Sequence, residues 1–592
     1  MQKKWIVRET PPQSFLEQHP ELPPIVANLL YHRGVTDAEK IDEFLNPDYT
    51  QDIFDPYLFL DMQKAIDRIN RAIEQNEKIT IHGDYDADGV CAATILMEML
   101  YALGHTNASV FLPHRETDGY GLNKKNVQLL ANEGTKLIIT CDCGVSNVEE
   151  ITLANTLGVD VIVTDHHALP ATLPPAVAII HPKREGETYP DDGLCGAGVA
   201  FKLLQGMFKK HKETHSTLPN GETHDTFEKW LIDLVAIASV SDMVPLLGES
   251  RTLTKYGLLV LNKTRHVGLQ KLLAEAKLIA DDGSKKKEFD TTTISFQIAP
   301  RLNAAGRMNH ANVAYNLLFT KSPIEATDLA FELNNNNIDR QKLTEQYVKE
   351  ACEQVEKDQK DAPVLFVKGY SWSAGIVGLI ASKLKEKYQK PVFALTHNDG
   401  FIVGSGRSID IFNMIATLQE MPQYFLKFGG HPQACGFTLA SEEKYEEMKK
   451  AFIEAYYKKT EGISVEPTLM IDAELSLTDV NWDLYDVLDK FKPFGQCNEK
   501  PKYLARGVTV HTMKCVGNGS HHLSMMVKHN SPKIHKTIGW GLCGSDKNPD
   551  SIDWTKQVGS GDLVDLVFEV DINEWNGNRE LQLTIVDLRK HE

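Results

Sequence analysis

The chain has 592 residues, a formal net charge of −18 and 42% hydrophobic content. That length exceeds a single hydrophobic core and points to three or four domains of roughly 150 residues each, while no run of about 18 apolar residues offers a membrane span. The acidic balance weighs against generic duplex binding, which is usually basic, but leaves open a groove in which metal ions and local arginines reverse the field.

Residues 1–60 are punctuated by prolines and read as a helical lead-in. The first residues, Met1-Gln2-Lys3-Lys4-Trp5, lack the apolar stretch of a signal peptide. Nine cysteines, an odd number without regular spacing, argue for free thiols in a reducing compartment, so the expected location is the cytoplasm. Ile66, Ile69 and Ile73 lie at helical spacing within 64–74. A short β-branched run follows at Ile79–Ile81, then a helix from about Val90 to Leu103. Strand-helix alternation continues to about 270, the pattern of a doubly wound α/β domain. The polar stretch 209–228 reads as a surface insertion, and 280–293, with Asp281-Asp282-Gly283-Ser284, as a loop.

From 325 to about 358 the chain is polar and helix-forming, interrupted by Asn334–Asn337; it reads as a helix connecting two lobes. Alternation resumes at Val364–Val367, with a helix from Ala374 and strands near Val392 and Ile402. After 460 short alternating segments (504–510, 563–570, 581–586), with turns such as Asn576-Gly577, suggest a small β-barrel.

Chemistry concentrates where apolar runs end. Ile79–Ile81 leads into His82-Gly83-Asp84-Tyr85-Asp86-Ala87-Asp88; Leu137–Thr140 leads into Cys141-Asp142-Cys143-Gly144; Val161–Val163 leads into Thr164-Asp165-His166-His167. Such runs read as buried parallel strands with functional loops at their carboxyl ends, where ligands gather in open α/β sheets. Carboxylates with imidazoles and no obligatory thiolate form a ligand set for Mn²⁺ or Mg²⁺. Taken singly each segment has a blander reading: Asp84–Gly89 as a strand-to-helix turn with Asp88 as a cap, His166 and His167 as loop residues, Asp242 as a helix terminator. No structural requirement places acids at all of these ends together.

These segments and Ser239-Val240-Ser241-Asp242 resemble, in order, the four signatures of the DHH phosphoesterase superfamily. Arg301-Leu302-Asn303-Ala304-Ala305-Gly306-Arg307-Met308 and Gly429-Gly430-His431-Pro432-Gln433-Ala434-Cys435-Gly436-Phe437 narrow the resemblance to its RecJ family of single-strand-specific 5′→3′ DNA exonucleases. The resemblance runs from about 50 to 590. It implies an α/β multidomain protein with a DHH-type parallel-sheet core, a smaller DHH-associated α/β domain and a C-terminal OB-like β-barrel. The expected division is 1–60 lead-in, 61–322 catalytic domain, 323–360 connecting helix, 361–460 DHH-associated domain and 461–592 single-strand-binding barrel.

The implied activity is metal-dependent release of 5′-mononucleotides from the 5′ end of single-stranded DNA, in repair and recombination. Two ions, Mn²⁺ or Mg²⁺, about 4 Å apart would supply the nucleophile and neutralise charge. By analogy His82 and Asp86 would hold one, Asp88, His166 and Asp242 the other, with Asp142 bridging. His167 would face the scissile phosphate, and Asp84 would support the first ion or orient His82. Arg115, Ser405 and Arg407 resemble a pocket for the 5′-terminal phosphate; Arg301, Asn303, Arg307 and His431 are expected substrate contacts. For Gly404-Ser405-Gly406-Arg407-Ser408 the glycines would let backbone N–H groups approach an anion, against the plainer reading of a β-turn.

In the barrel the basic and aromatic signals, Lys514, Lys528, Lys533 and Trp540, are sparse. Within 493–501, Cys497 and Glu499 stand where the family usually has Gly and Pro, which puts that turn in doubt. A single-strand-binding protein and a helicase are the implied protein partners, with no membrane contact. The competing readings are a DHH phosphodiesterase acting on short oligonucleotides or cyclic dinucleotides, and a replication scaffold. The terminal barrel disfavours the first and the full ligand set the second.

Overall fold

The computed structural model describes residues 3–592 apart from 281, 399, 546, 547, 576 and 577; the expected Asn576-Gly577 turn and Asp281 lie outside the described residues. The chain divides into two units, one of residues 53–244 and 253–465, the other of 1–52, 245–252 and 466–592.

In the first unit, the β-branched runs form a five-stranded parallel sheet. Its order is Ala108–Phe111, Lys78–His82, Thr135–Cys141, Asp160–Thr164, Ala178–Ile180. Strands so short and apolar suit a sheet covered on both faces. Register aligns their ends: His82 pairs with Thr140, and Cys141 with Thr164. The loops carrying Asp84–Asp88, Asp142 and Asp165–His167 therefore leave the same edge. Helix Ala87–Ala102 is largely apolar and buried at every position but Tyr101, as suits an internal helix; it packs on helices Gly196–Lys212 and Ile232–Ser241.

The second lobe of this unit holds a five-stranded mixed sheet, ordered Phe425–His431, Ala434–Leu439, Phe401–Arg407, Val392–Asn398, Leu365–Gly369. Between the two sheets runs one helix, Pro323–Asp358, unbroken for 36 residues. Asn334–Asn337 does not interrupt it. Asparagine is a weak helix former, but here tertiary bonds outweigh propensity: Arg301 Nε donates to Asn334 Oδ1 at 3.0 Å, and Arg340 Nη2 to Asn337 Oδ1 at 2.9 Å.

The polar stretch 209–228 is likewise more anchored than a surface insertion. Helix Gly196–Lys212 runs into it, Leu218 and His224 are buried, and His211 Nδ1 and His224 Nε2 share a hydrogen bond of 2.8 Å.

In the other unit, strands Tyr503–Val516, His522–Lys528, Ile534–Gly539, Asn578–Lys590 and Leu563–Trp575 close on themselves, because the first also pairs with the last. The barrel thus removes its own free edges. Residues 1–60 contain helices Gln13–Gln18, Pro24–Tyr31 and Ala38–Leu45, but also a strand, Lys4–Val7, paired in parallel with Thr468–Ile471. Phe15, Leu29, Leu30 and Phe44 from these helices share one core with Phe491, Tyr503, Val564 and Phe568.

Cys515 and Cys543 are joined in a disulfide, contrary to the all-thiol expectation; the other seven cysteines are free. Arg251 is buried and donates to the carbonyls of Phe44, Lys490, Phe491, Lys492 and Pro493, while Asn498 Nδ2 donates to those of Phe491 and Pro493. This cage holds the 493–501 turn. Cys497 there has φ +59, a left-handed conformation that costs a residue with a Cβ about 1 kcal/mol. That geometry accounts for the glycine expected at this position.

Candidate metal centre and phosphate pocket

The first acidic loop is shaped by its own helix start. Asp86, not Asp88, caps helix Ala87–Ala102: its Oδ1 accepts from the backbone N–H of Asp88 at 2.9 Å and Gly89 at 3.2 Å. Asp88 is thereby turned inward, where its two oxygens accept the N–H groups of Gly196 (2.7 Å) and Ala197 (2.6 Å). These N–H groups open helix Gly196–Lys212, whose positive end suits a carboxylate. A Cβ at Gly196 would come within 2.5 Å of Asp142 Cβ, so only glycine admits this approach.

Asp142 holds φ +60, a left-handed backbone state uncommon for residues with a Cβ but tolerated by aspartate. Its Oδ1 lies 3.1 Å from His166 Nε2 and 3.8 Å from His167 Nδ1. His166 Nε2 is also 3.8 Å from Asp88 Oδ2 and 3.6 Å from Asp242 Oδ2; Asp242 follows directly on helix Ile232–Ser241. Asp165 works from behind, with Oδ1 accepting from the N–H groups of His166 and His167 and lying 2.9 Å from His167 Nδ1. Tyr120 Oη donates to the Asp142 carbonyl at 3.0 Å and sits 3.0 Å from His167 Nδ1. The His167 Nδ1–H is then shared between Asp165 and Tyr120, which leaves Nε2 for chemistry.

Potential ligand atoms converge in three overlapping sets, each within 4.8 Å: Asp84, Asp86 and Asp142; Asp88, His166 and Asp242; Asp142, His166 and His167. Asp142 stands in two of them. His82 belongs to none of the three, yet it is fully buried and its Nε2 has no partner; Asp84 Oδ1 is likewise buried and unpartnered.

Burial first, then the charges of neighbouring aspartates, pushes Asp88 up to about 7, Asp242 up to about 8, and Asp84 and Asp142 well above the usual carboxylate range. Burial lowers His82 to about 4, and burial with the neighbouring His167 lowers His166 to about 3. For His167 burial acts downward, but its hydrogen bond to Asp165 holds it up at about 9. Buried acids crowded together, with neutral imidazoles and orphan lone pairs, lack a counter-charge, and a divalent cation supplies one. The donors are oxygen and imidazole. Cys141 and Cys143 are buried, and neither falls in any of the three sets. That chemistry fits Mn²⁺ or Mg²⁺.

The cationic residues fall into two groups. Arg407 and Ser405 lie two apart on strand Phe401–Arg407, hence on one face. Arg407 Nη1 donates to Ser405 Oγ at 2.8 Å, and its Nε to Ser382 Oγ at 3.2 Å. Gly404 and Gly406 face the other way: a Cβ would meet the Phe437 ring at 2.3 Å and Met414 Sδ at 2.3 Å. These glycines make room for the core, and the segment is a strand, not a turn. Arg115 stacks 4.0 Å over the Tyr85 ring with its Nε buried and unpartnered. Arg307, half-buried, donates to the Gly375 carbonyl at 3.0 Å. Burial lowers it to about 9, with Arg115, Arg340 and Arg407 adding to the effect. Arg115, Arg307, Ser405 and Arg407 thus share a neighbourhood.

Arg301 is placed otherwise, against the long helix through Asn334 and bonded to the Gln297 carbonyl at 2.7 Å. Asn303 Oδ1 accepts from the Ala87 N–H at 2.8 Å and so pins the acidic loop. His431, on the second lobe, lies with its ring 6.3 Å from that of His167. Tyr120, Asp165, Gly196 and Ala197 were not singled out as site residues from sequence; only Asp165, beside the two histidines, carried a local signal. In the barrel, Trp540 is exposed and meets His522 edge-on at 4.9 Å; Lys533 Nζ bonds the Val480 carbonyl at 3.1 Å.

Residues 78–239 match the DHH family N-terminal domain, 361–458 the DHHA1 domain and 471–587 the RecJ OB domain. The single-stranded-DNA-specific exonuclease RecJ of Bacillus subtilis is 35% identical over 574 residues, covering 97% of this chain and 69% of the relative. The chain belongs to the RecJ family. The RecJ exonuclease of Salmonella typhimurium is 32% identical, with 96% of each chain covered. The crystal structure of RecJ in complex with Mn²⁺ from Thermus thermophilus superposes with a TM-score of 0.79 at 27% identity, covering 100% of this chain and 80% of that one.

Proposed function

We propose that this member of the RecJ family is a metal-dependent exonuclease that degrades single-stranded DNA from its 5′ end to 5′-mononucleotides. One observation carries the reading: a buried carboxylate–imidazole cluster and a set of arginines that form no ion pair with a carboxylate among the described residues occur in one unit, with His431 of the second lobe reaching toward His167.

Asp84, Asp86, Asp142 and His82 would hold one Mn²⁺ or Mg²⁺, and Asp88, His166, Asp242 and Asp142 a second. Bound there, the ions make water nucleophilic near neutral pH and neutralise charge on the phosphate. Asp165 and Tyr120 fix the ring of His167, so that its Nε2 can donate to the phosphate. Arg115, Arg307, Ser405 and Arg407 would hold the 5′-terminal phosphate through charge-assisted bonds, setting cleavage polarity. Asn303 keeps the acidic loop in place.

The match of 471–587 to the RecJ OB domain favours long single strands over short oligonucleotides or cyclic dinucleotides, and the retained ligand residues favour an enzyme over a scaffold. Free thiols at seven of nine cysteines support a cytoplasmic location. A single-strand-binding protein and a helicase, which would supply the strand, are proposed as partners on the family resemblance. No helix among the described residues is long and apolar enough to cross a membrane.

The test is a time course on end-labelled single-stranded, duplex and 5′-blocked DNA with Mn²⁺, Mg²⁺ or chelator. Mononucleotides appearing from the 5′ end of single strands, only with metal, is the expected result. Attack at the 3′ end or on blocked strands would overturn the polarity.

A further inference from the structure

The long helix Pro323–Asp358 carries a second cationic position that neither the acidic cluster nor the terminal pocket uses. Asn336 and Arg340 lie four residues apart, on one face of the helix. Asn336 Nδ2 and Arg340 Nε are both buried and without a hydrogen-bond partner. The only side-chain bond of the Arg340 guanidinium among the described residues is from Nη2 to Asn337 Oδ1. Other arginines of this chain find counter-charges or carbonyls: Arg68 pairs with Glu77 and Asp160, and Arg251 is caged by five carbonyls. Arg340 has no carboxylate within ion-pair distance among the described residues. Its charged neighbours are other arginines, since its field lowers both Arg301 and Arg307.

A desolvated guanidinium facing further guanidiniums is destabilising unless an anion completes it. Two orphan donors on one helix face select an acceptor-only ligand. Phosphate is that ligand, and Arg is the side chain best shaped for it.

We propose that Arg340 and Asn336 bind an internal backbone phosphate of single-stranded DNA, distinct from the 5′-terminal phosphate held at Arg115, Ser405 and Arg407. The inference rests on the exonuclease reading above. Its location follows from the helix that carries it. Arg301 bonds Asn334, two residues before Asn336 on that helix, whereas Ser405 and Arg407 bond each other on strand Phe401–Arg407. Arg307 has both Arg340 and Arg407 among its charged neighbours, so the two positions are separate and close, which suits phosphates of one strand.

The experiment uses the full chain with Mn²⁺ and 5′-phosphorylated oligonucleotides carrying one uncharged methylphosphonate at successive linkages, reading first-nucleotide release at subsaturating strand. For wild type, one internal linkage should show a drop of roughly tenfold or more. Arg340→Ala should be slower on the unmodified strand and indifferent at that linkage, while sensitivity to removal of the 5′-phosphate persists. The slope of log(kcat/KM) against log salt should become shallower by about 0.7, one phosphate of a single strand. Arg340→Lys should restore the salt slope, and Asn336→Ala should weaken the same linkage less; melting curves confirm that each variant is folded. Should Arg340→Ala not fold, Arg340→Lys and Asn336→Ala decide the matter by the depth of the methylphosphonate effect at that linkage. An unchanged linkage profile and salt slope in folded variants would overturn the assignment. If wild type neither binds nor degrades single strands, the exonuclease reading itself fails, and this inference with it.

Discussion

Two parts of the catalytic unit follow one rule with opposite sign. The strand-end loops bury Asp84, Asp88 and Asp142, with Asp242 beside them, around imidazoles that burial keeps neutral. The second group gathers Arg115, Arg307 and Arg407, which bond hydroxyls, carbonyls and an aromatic face but no carboxylate among the described residues. Ordinary structural charges in the same unit do the reverse, as Arg68 does with Glu77 and Asp160. Like charges buried without internal partners show where the balance is completed from outside. The acids call for cations and the arginines for phosphate, and a metal-bound phosphodiester provides both.

The sharpest way to break the comparison is Asp142→Asn, which keeps the shape and tolerates the left-handed backbone. Hydrolysis should fall by well over the ~10–100-fold that loss of an outer partner costs, and Mn²⁺ should no longer raise the melting temperature as it does in wild type. Near-normal turnover of the metal-saturated variant would remove Asp142 from the centre. On the cationic side, Arg407→Ala should cut the preference for 5′-phosphate over 5′-hydroxyl strands roughly tenfold to a hundredfold. Equal sensitivity of wild type and variant to dephosphorylation would dissolve the terminal pocket.

A smaller effect is expected at the seam of the acidic cluster. Tyr120→Phe removes the donor to the Asp142 carbonyl and one partner of His167. It should lower kcat about tenfold and leave KM for the strand near wild type; a rise in KM alone would make Tyr120 a substrate contact.

The smallest effect is one of pH. Above pH 6.5, His82 and His166 are neutral in folded and unfolded chains alike and drop out. Asp88 at about 7, Asp242 at about 8 and His167 at about 9 are all raised, so each contributes stability that is lost as pH rises through its folded value. Metal-free protein should therefore melt several degrees lower at pH 9 than at 6.5, and saturating Mn²⁺ should flatten the curve. A flat curve without metal would mean that the acids are not crowded as described.

The sheet and its loops were readable because β-branched runs of four or five residues ending in polar clusters have few other solutions; the strands at 79, 137 and 161 and the helices at 64–74 and 374 fall where periodicity placed them. What stayed hidden depends on distant partners. Nothing near Asp88 announces that Gly196 and Ala197, more than a hundred residues on, present their N–H groups to it. Asn303 resembles a substrate contact in sequence, and only the fold shows it bonded to Ala87. Gly404 and Gly406 suggested an anion loop, whereas alternation along a strand turns both toward Phe437 and Met414. Strand Lys4–Val7 pairs with Thr468–Ile471 across most of the chain. The N-terminal helices share the barrel's core, so a chain cut near 458 would bare apolar surface, and the grip of the barrel is better probed by point substitution.

The helix Pro323–Asp358 has one more consequence. At 1.5 Å per residue its 36 residues make a rod about 54 Å long, with no glycine, internal proline or irregular turn at which to bend. Such a rod behaves as a fixed caliper: helices Val267–Glu275, Ala299–Met308 and Asn312–Phe319 pack on it from one lobe, and helix Ala374–Tyr388 with strand Leu365–Gly369 from the other. The spacing of the lobes that carry His167 and His431 is then a matter of gauge, not of hinge.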